Sequence, residues 1–311
     1  MKEKAAEFFV KLQNNICCAL ENLEGGKSFR ADLWQRDDLR RQYGGGGDTR
    51  ILQGGDIFEQ AGVNFSKVHG TLPADMSYTL SGRNEETAFF ASGTSVVIHP
   101  YSPMIPTTHA NFRYLEVGEN ENKKAWFGGG MDLTPYYFFQ DDAVHFHSVI
   151  KKCCDKHNPA YYPKFKKWCD KYFFLPHRKE ARGIGGCFFD YLGRESQIND
   201  QSFFEKTFLF VQDIGNAFLE AYLPIVERRK NLAYQTAQKE FQLLRRGRYV
   251  EFNLIYDRGT LFGLKTGGRT ESILMSLPPQ VKWQYNDTQI YRPGTPEHEL
   301  LVLLREPKEW L

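Results

Sequence analysis

The sequence WFGGGMDLTPYY, residues 126–137, places three consecutive glycines before a single carboxylate, Asp132, among aromatic residues. Consecutive glycines lose side-chain packing and cost backbone entropy. They therefore persist where a chain turns tightly or lies close against another backbone or a flat ligand. We expect Asp132 to lie at the lip of a cleft, as part of a reaction centre. The alternative is a tight strand-to-loop turn in which Asp132 caps a helix opened by Pro135.

The overall composition limits the classes of protein to which this chain can belong. Its 311 residues, 41% hydrophobic and 15% aromatic, can bury a large core in one or two domains. The 25 Phe, 16 Tyr and 5 Trp suit either an aromatic-rich core or a protein that wraps a large planar molecule. A net charge of +2, from 40 basic and 38 acidic residues, gives no global field for nucleic acid or membrane binding. Any anion site must be local.

The cysteines and the N-terminal residues indicate which cellular compartment to expect. The six cysteines lack zinc-type and disulfide-framework spacing, which predicts buried thiols in a reducing compartment. They are Cys17, Cys18, Cys153, Cys154, Cys169 and Cys187. Residues 1–25 predict a mixed-charge amphipathic helix without the features of a signal or transit peptide. No apolar run approaches the roughly 20 residues needed to span a bilayer, so we expect a soluble cytoplasmic protein without a membrane span.

Strand patterns dominate the middle of the chain. Residues 94–99 alternate so that Ser95 and His99 share one face of a strand. Residues 111–117 and 124–127 predict a hairpin across the polar segment between them.

Residues 249–256 give the clearest alternation, because Val250, Phe252, Leu254 and Tyr256 would all face one way. We therefore predict a strand there, a turn at residues 257–259 and a returning strand over residues 260–264.

Helical patterns flank these strands. Residues 199–227 predict a long helix with a kink at Pro224. Residues 141–152 predict another, on which His145 and His147 cannot face the same way. Residues 44–47, four glycines, predict a flexible loop, because the strand and Lys-Ser/Thr context of a phosphate-binding loop is missing.

Hairpins interleaved with helices indicate an α+β fold with a large, mainly antiparallel sheet. We find neither internal repeats nor a linker. We therefore expect residues 1–311 to form a single domain, with residues 1–43 as its N-terminal helical segment. The chain has no Walker motif, dinucleotide-binding fingerprint, zincin motif or nucleophile elbow. The common enzyme classes that these motifs mark are therefore disfavoured.

Six segments of the chain resemble the oxygen-dependent coproporphyrinogen III oxidase family. Three are long: TSVVIHPYSPMIPTTHANFR (94–113), WFGGGMDLTPYYFFQDDAVHFH (126–147) and RRGRYVEFNLIYDRGTLFGLKTGGRTESILMSLPP (245–279). Three more follow the family's order: FEQAGVNFSKVHG (58–70), YPKFKKWCDKYFFLPHRKEARGIGGCFFD (162–190) and AYLPIVERRK (221–230). The resemblance runs from about residue 44 onward.

The resemblance implies a broad antiparallel sheet with α-helices on both faces and a homodimer. Residues 249–279 match the dimer-forming region, where an apolar strand at a sheet edge would favour pairing; the alternative is a central strand of the monomer. The implied activity is the oxidative decarboxylation of two propionates of coproporphyrinogen III to vinyl groups, giving protoporphyrinogen IX in haem biosynthesis. Molecular oxygen is the co-substrate, and no organic cofactor is needed.

The resemblance also implies the roles of individual residues. Asp132 would accept hydrogen bonds from the pyrrole N–H groups and favour their deprotonation, and His109 matches the proton donor. Arg113 and Arg269 would bind propionates. Gly267 and Gly268 would add backbone N–H groups, and Ser95, Asn111 and Phe112 match further substrate contacts. The role of Arg245, Arg246 and Arg248 stays open between propionate binding and dimer contacts.

The sequence is also compatible with a metal site and with two other functional classes. His99, His109, His147 and His177 match positions proposed as ligands of a divalent metal, with structural or substrate-contact roles as the alternative. A metal-dependent oxygenase would use His99, His109 and Asp132. A module that binds single-stranded nucleic acid would use residues 245–249 (RRGRY), but the near-neutral charge argues against it.

Overall fold

A single seven-stranded antiparallel sheet organises the chain, in the computed structural model that describes residues 1–36, 44–82, 84–120, 123–194, 201–265 and 267–311. In chain order the strands are β1 (Arg30–Gln35), β2 (Gly44–Gln53), β3 (Phe58–Leu72), β4 (Thr87–Pro100), β5 (Thr107–Val117), β6 (Lys124–Thr134), β7 (Phe174–Leu175), β8 (Glu180–Ala181) and β9 (Gly186–Leu192). The sheet has the order β1-β2-β3-β4-β5-β6-β9, and β7 pairs with β8 in a separate ribbon. The predicted hairpin and the strand over residues 94–99 are confirmed by β4, β5 and β6.

Helices cover both faces of this sheet. They are α1 (Lys2–Glu24), α2 (Ala74–Ser81), α3 (Gln140–His157), α4 (Tyr161–Tyr172), α5 (Gln201–Arg229), α6 (Thr236–Ile255), α7 (Arg258–Lys265), α8 (Thr270–Leu274) and α9 (Pro296–Arg305), with a 3-10 helix at Asp287–Ile290. The predicted helices at residues 1–25 and 141–152 are confirmed by α1 and α3. The long helix is confirmed by α5, which contains Pro224; its predicted residues 199–200 lie outside the described residues. The α+β prediction is also confirmed.

One face of the sheet is apolar and forms the core. Val63, Val96, Ala110 and Met131 lie in register across β3 to β6 and are all buried. They join the same cluster as buried residues of α1, α3, α4 and α5. Burying a valine or methionine side chain stabilises a fold by about 1.5–3 kcal/mol, so this face fixes where the strands lie.

The opposite face, here called the polar face, carries the side chains of interest. Asn64, Ser95 and Asn111 lie in one row across β3, β4 and β5, and the row continues to a glycine on β6. His109 lies directly opposite Asp132 in the neighbouring row. Helices α6 and α8 lie over part of this face, since His99 packs edge-on against Tyr249 of α6 and Asn64 donates a hydrogen bond to a main-chain carbonyl of α8.

The strands predicted over residues 249–256 and 260–264 are wrong, because these residues belong to α6 and α7. Tyr249, Phe252 and Tyr256 also share one helical face, and a short apolar run fits both periods. In the structure Phe252 is fully buried while Leu254 is 43% exposed. Residues 249–256 therefore form neither an apolar edge strand that could pair in a dimer nor a central strand of the monomer.

The flexible loop predicted at residues 44–47 is also wrong, because Gly44 begins β2. A Cβ atom on Gly46 would lie 2.4 Å from the carbonyl oxygen of Trp34, and one on Gly47 would lie 2.4 Å from that of Phe65. The glycines therefore allow close backbone approach within a paired strand.

The glycines of residues 126–137 lie within β6, which continues to Thr134. Asp132 is therefore a mid-strand residue, and the alternative of a helix cap is wrong. The expectation of close approach is confirmed, because a Cβ atom on Gly130 would lie 2.2 Å from the carbonyl oxygen of Cys187.

Two expectations about compartment and membrane can be compared with the structure. All six cysteines lie in the described part of the chain as free thiols, and all but Cys18 are buried. Within the described ranges, no helix is long and apolar enough to cross a membrane.

We expect Gly129→Ala to lower the free energy of unfolding by about 1–3 kcal/mol through overpacking. The new Cβ atom would lie 2.7 Å from the carbonyl oxygen of Asn111 and 3.0 Å from ring carbons of Phe112 and Phe189. Urea unfolding measures the change. Gly26→Ala is the control, because nothing lies within 4 Å of its Cβ position; equal effects of the two substitutions would contradict the close-packing interpretation.

Candidate active site

Asp132 forms a buried three-residue cluster with His109 and Arg182. Its carboxylate accepts a hydrogen bond from His109 Nδ1 at 2.9 Å. It also accepts two from Arg182 Nη2, at 2.9 Å and 2.7 Å. Asp132 is 1% exposed, so it lies beneath the surface of the site and not at the lip of a cleft as expected. The physical reason is its arginine partner, which allows the charge to be buried.

Sequence reasoning missed Arg182. Its guanidinium also donates to Asn253 Oδ1 at 2.9 Å, and it lies 4.0 Å from the ring centroid of Phe173 and 4.5 Å from that of Tyr249. Cation–π contacts of this kind are strongest where water is excluded. The only signal in the sequence was an arginine directly before a glycine-rich loop, since Arg182 and Asp132 lie 50 residues apart.

The electrostatic balance keeps this pair charged. Burial acts to raise the pKa of Asp132, but the charge of Arg182 and the hydrogen bond from His109 outweigh it, so the pKa lies below its ordinary value. Burial acts against the charge of Arg182 as well, yet Asp132 raises its pKa. At neutral pH the site therefore contains a carboxylate and a guanidinium in contact.

His109 is the member of the cluster that reaches the surface of the polar face. Its side chain is 22% exposed, against 2% for that of Asp132. Because Nδ1 is bonded to the carboxylate, Nε2 is the nitrogen left for proton exchange. The ring contacts Phe173 edge-on at 5.9 Å between centroids, which fixes its orientation.

Arg113 and Asn111 lie on the same face of β5 as His109. Arg113 pairs with Asp190 at 2.8 Å and donates to Asn111 Oδ1 at 3.2 Å. Its side chain is 29% exposed, so part of the guanidinium remains accessible. A Cβ atom on Gly128 would lie 2.8 Å from Arg113 Nε, so the glycine makes room for this arginine.

The other residues predicted to contact the substrate lie on the two faces of the sheet and at its distant β1 edge. Ser95 lies on the polar face directly opposite Asn111. The side chain of Phe112 does not reach the site: it is fully buried on the apolar face, because successive strand residues point to opposite sides.

Gly267, Gly268 and Arg269 lie beside β1, far from Asp132. Arg269 donates to Asp32 Oδ2 on β1 at 2.6 Å. These residues line a cavity of about 250 Å³ together with residues 34–36. Since β1 and β6 have four strands between them, Asp32 and Asp132 are separated by roughly 24 Å. The structure therefore does not bring Arg269 together with the Asp132 cluster.

The four histidines predicted as metal ligands have separate partners. His99 Nε2 bonds to the carbonyl oxygen of Ser276 at 2.9 Å, and His177 Nε2 bonds to Glu251 at 2.7 Å. His147 bonds to the carbonyl oxygen of Ile184 and the hydroxyl of Tyr162, while His145 bonds to the carbonyl oxygen of Glu220, which confirms that these two point apart. Burial lowers the pKa of His99 and of His147 to about 3. Across the described residues, no group of three His, Cys, Asp or Glu side chains could hold a metal ion.

Arg245, Arg246 and Arg248 are buried and form ion pairs within the chain. Arg245 pairs with Glu180 at 2.7 Å and Arg246 with Glu59 at 2.7 Å, and Arg248 pairs with Asp287. Their residue exposures are 3%, 0% and 7%. Such buried, paired charges suit neither propionate binding nor nucleic-acid binding.

One comparison with known families matches almost the whole chain. The family model for coproporphyrinogen III oxidase matches residues 4–310. The matched range includes Asp132, His109, Arg182 and Arg113, as well as the distant Arg269.

We expect Arg182→Leu to lower the free energy of unfolding at pH 7 by about 3–5 kcal/mol, because it leaves the Asp132 carboxylate buried without its charge partner. The lowered pKa of Asp132 stabilises the wild-type fold above the ordinary Asp pKa, and this contribution is lost as pH falls through the folded-state pKa. The difference between variant and wild type should therefore be large at pH 7 and shrink below about pH 4. Urea unfolding across pH measures it.

The control for this prediction is Arg178→Leu. Arg178 is half-exposed and pairs with Glu251, so its loss should cost about 0–1 kcal/mol. A pH-independent deficit in Arg182→Leu would contradict the charged state assigned to the pair.

Proposed function

The chain belongs to the coproporphyrinogen III oxidase family, and we propose that it uses molecular oxygen for this reaction at the polar face around His109, Asp132 and Arg113. The family's activity is the oxidative decarboxylation of coproporphyrinogen III in porphyrin biosynthesis. The observation that carries the proposed site is the buried Asp132–Arg182 pair, which holds His109 at the accessible edge of the face.

The electron balance of the reaction requires an external oxidant but no organic cofactor. For each side chain, R–CH2–CH2–COO⁻ + O2 + H⁺ gives R–CH=CH2 + CO2 + H2O2. Two electrons leave the propionate and reduce one oxygen molecule. The electron-rich pyrrole that carries the side chain promotes this step once its N–H proton is removed. Two such cycles convert coproporphyrinogen III to protoporphyrinogen IX.

Proton transfer is assigned to the His109–Asp132 couple. Asp132 was predicted to accept the pyrrole N–H bonds directly. Both of its oxygens are already bonded, however, to His109 and Arg182. We therefore assign the proton contact with the pyrrole to His109 Nε2. The ionised Asp132 orients the imidazole and stabilises its cationic form.

Arg113 is the arginine that we assign to propionate binding at this site. Arg113 presents a partly exposed guanidinium two residues from His109 on the same face of β5. A guanidinium fork pairs with a carboxylate in two parallel hydrogen bonds. Asp190 and Asn111 hold this fork in place. Ser95 and Asn111 provide further polar contacts. Arg269, Gly267 and Gly268 are not assigned to this site, because they lie beside Asp32 on β1, roughly 24 Å from Asp132.

We assign no resident metal to the reaction. Each predicted ligand histidine bonds to protein atoms, as in the contacts of His99 with Ser276 and of His177 with Glu251. In these positions the ring nitrogens fix main-chain carbonyls or pair with carboxylates. The four histidines therefore act in structure and, for His109, in proton exchange.

The proposal extends to domain organisation, assembly and compartment. Residues 1–311 form one domain, because α1 and Trp310 contribute to the same core cluster.

The chain acts as a homodimer through residues 249–279. This segment exposes Leu254 (43%), Ile255 (52%), Leu264 (43%) and Leu274 (38%), large apolar side chains that a dimer interface would cover. The free thiols favour a cytoplasmic location.

We expect purified, chelator-treated protein to convert coproporphyrinogen III aerobically to the divinyl product, with one H2O2 formed per vinyl group. We expect Asp132→Asn and His109→Asn each to lower kcat by about 10²–10⁴-fold, because both remove the proton-transfer couple. Separation of the tetra-, tri- and dicarboxylic products measures turnover.

The matched control is Asp213→Asn, which breaks another Asp–His pair, with His157 at 2.8 Å, and should leave kcat within twofold. An Asp132→Asn defect far greater than that of His109→Asn would return the pyrrole contact to Asp132. Activity only after metal addition would assign the histidines to a metal, and no turnover in air would refute oxygen dependence.

We expect the wild-type chain to sediment at twice its mass of 36.1 kDa. The double variant Leu254→Glu/Leu264→Glu should sediment as a monomer, because two charges would be buried without partners in the interface. Analytical ultracentrifugation measures both. Leu209→Glu, at a 55% exposed leucine of α5, is the control and should stay dimeric; a monomeric wild type would refute the dimer.

A further inference from the structure

We propose that Trp310, together with His147, positions Arg182 for catalysis by fixing the loop that carries it. This inference rests on the proposed role of the Asp132–Arg182 pair. The Arg182 loop, residues 182–185 between β8 and β9, has two glycines among four residues. Glycine restricts the backbone least. Such a loop holds an arginine in one place only when other groups fix its main chain.

One side of the Arg182 loop is bonded to the strand that carries Asp132. Ile184 N–H donates to the carbonyl oxygen of Leu133 at 2.9 Å, and Leu133 N–H donates to that of Gly185 at 3.1 Å. Leu133 directly follows Asp132. A displacement of the loop therefore moves Arg182 relative to the carboxylate that it binds.

The other side of the loop is held by two side chains that converge on one atom. The carbonyl oxygen of Ile184 accepts hydrogen bonds from Trp310 Nε1 at 3.0 Å and from His147 Nε2 at 3.1 Å. A carbonyl oxygen has two lone pairs, and an indole nitrogen can only donate. Both acceptor positions of Ile184 are therefore used.

His147 is held in the tautomer that this arrangement needs. Nε2 faces a carbonyl oxygen and must donate, so Nδ1 accepts from the hydroxyl of Tyr162 at 3.0 Å. Burial lowers the pKa of His147 to about 3, which keeps the ring neutral at physiological pH. Its donor role therefore does not change with pH in the working range.

Trp310 is itself anchored away from the polar face. Its ring centroid lies 5.3 Å from that of Phe138 and 6.1 Å from that of His147. Two residues earlier, the carbonyl oxygen of Lys308 accepts from the buried Lys166 at 2.5 Å. Trp310 is only 8% exposed. It therefore acts on the reaction only through Ile184 and Arg182, as a positioning residue.

Trp310→Phe separates positioning from packing, because phenylalanine keeps an aromatic ring and loses the N–H donor. We expect kcat for coproporphyrinogen III to fall about tenfold, the scale of one lost buried hydrogen bond, with KM within twofold. If Arg182 is less firmly held, its charge lowers the pKa of Asp132 by a smaller amount. The acid limb of the pH profile of kcat should therefore move to higher pH. The titratable or charged groups around Asp132 are His109, Arg182, Tyr249, Cys169 and Cys187.

The control is Trp283→Phe, which loses an indole bond to Glu251 at 3.0 Å and should leave both kcat and the pH profile unchanged. Thermal melts of both variants report packing. An unchanged kcat in Trp310→Phe, or a fall in kcat and Tm with an unmoved acid limb, would overturn the positioning role. A wild type that does not turn over coproporphyrinogen III would instead refute the proposed function, so the two failures are distinguishable.

Discussion

The site depends on burying one ion pair, Asp132 with Arg182, in which both side chains are only 2% exposed. Removing two such charges from water costs several kcal/mol each, and the cost is recovered only with close contact and complete hydrogen bonding. His109 and Asn253 complete these bonds. Since these partners come from β5, β6, α6 and the Arg182 loop, the pair requires all four elements to keep fixed relative positions.

The two faces of the sheet meet this requirement in different ways. The apolar face fixes the strands through dense packing with the helices. The polar face can then carry side chains whose positions are set by register alone, such as His109 opposite Asp132. The glycines of β6 serve both faces. Gly129 lets the rings of Phe112 and Phe189 approach the strand, and Gly128 leaves space for Arg113.

Helix α6 connects the stability of the fold to the charge of the site. Its arginines face inward and are paired with acidic residues, as Arg245 is with Glu180. The same helix delivers Tyr249 and Asn253 to the guanidinium of Arg182. The fold therefore buries several cations near one another, and each is paired with a carboxylate. An α6 without Tyr249 and Asn253 would offer Arg182 neither this ring contact nor this hydrogen bond.

The sequence alone determined the fold class, the hairpin of β5 and β6 and the close backbone approach at the glycines before Asp132, because local periodicity and glycine chemistry depend on neighbouring residues. The resemblance in the motifs identified the family. The sequence did not determine whether residues 249–256 form a strand or a helix, because both periods fit a short apolar run. It also did not reveal Arg182 as the partner of Asp132 or the separate contacts of the four histidines. Those contacts join residues tens of positions apart, and only the packed sheet, with its register and burial, decides which side chains meet.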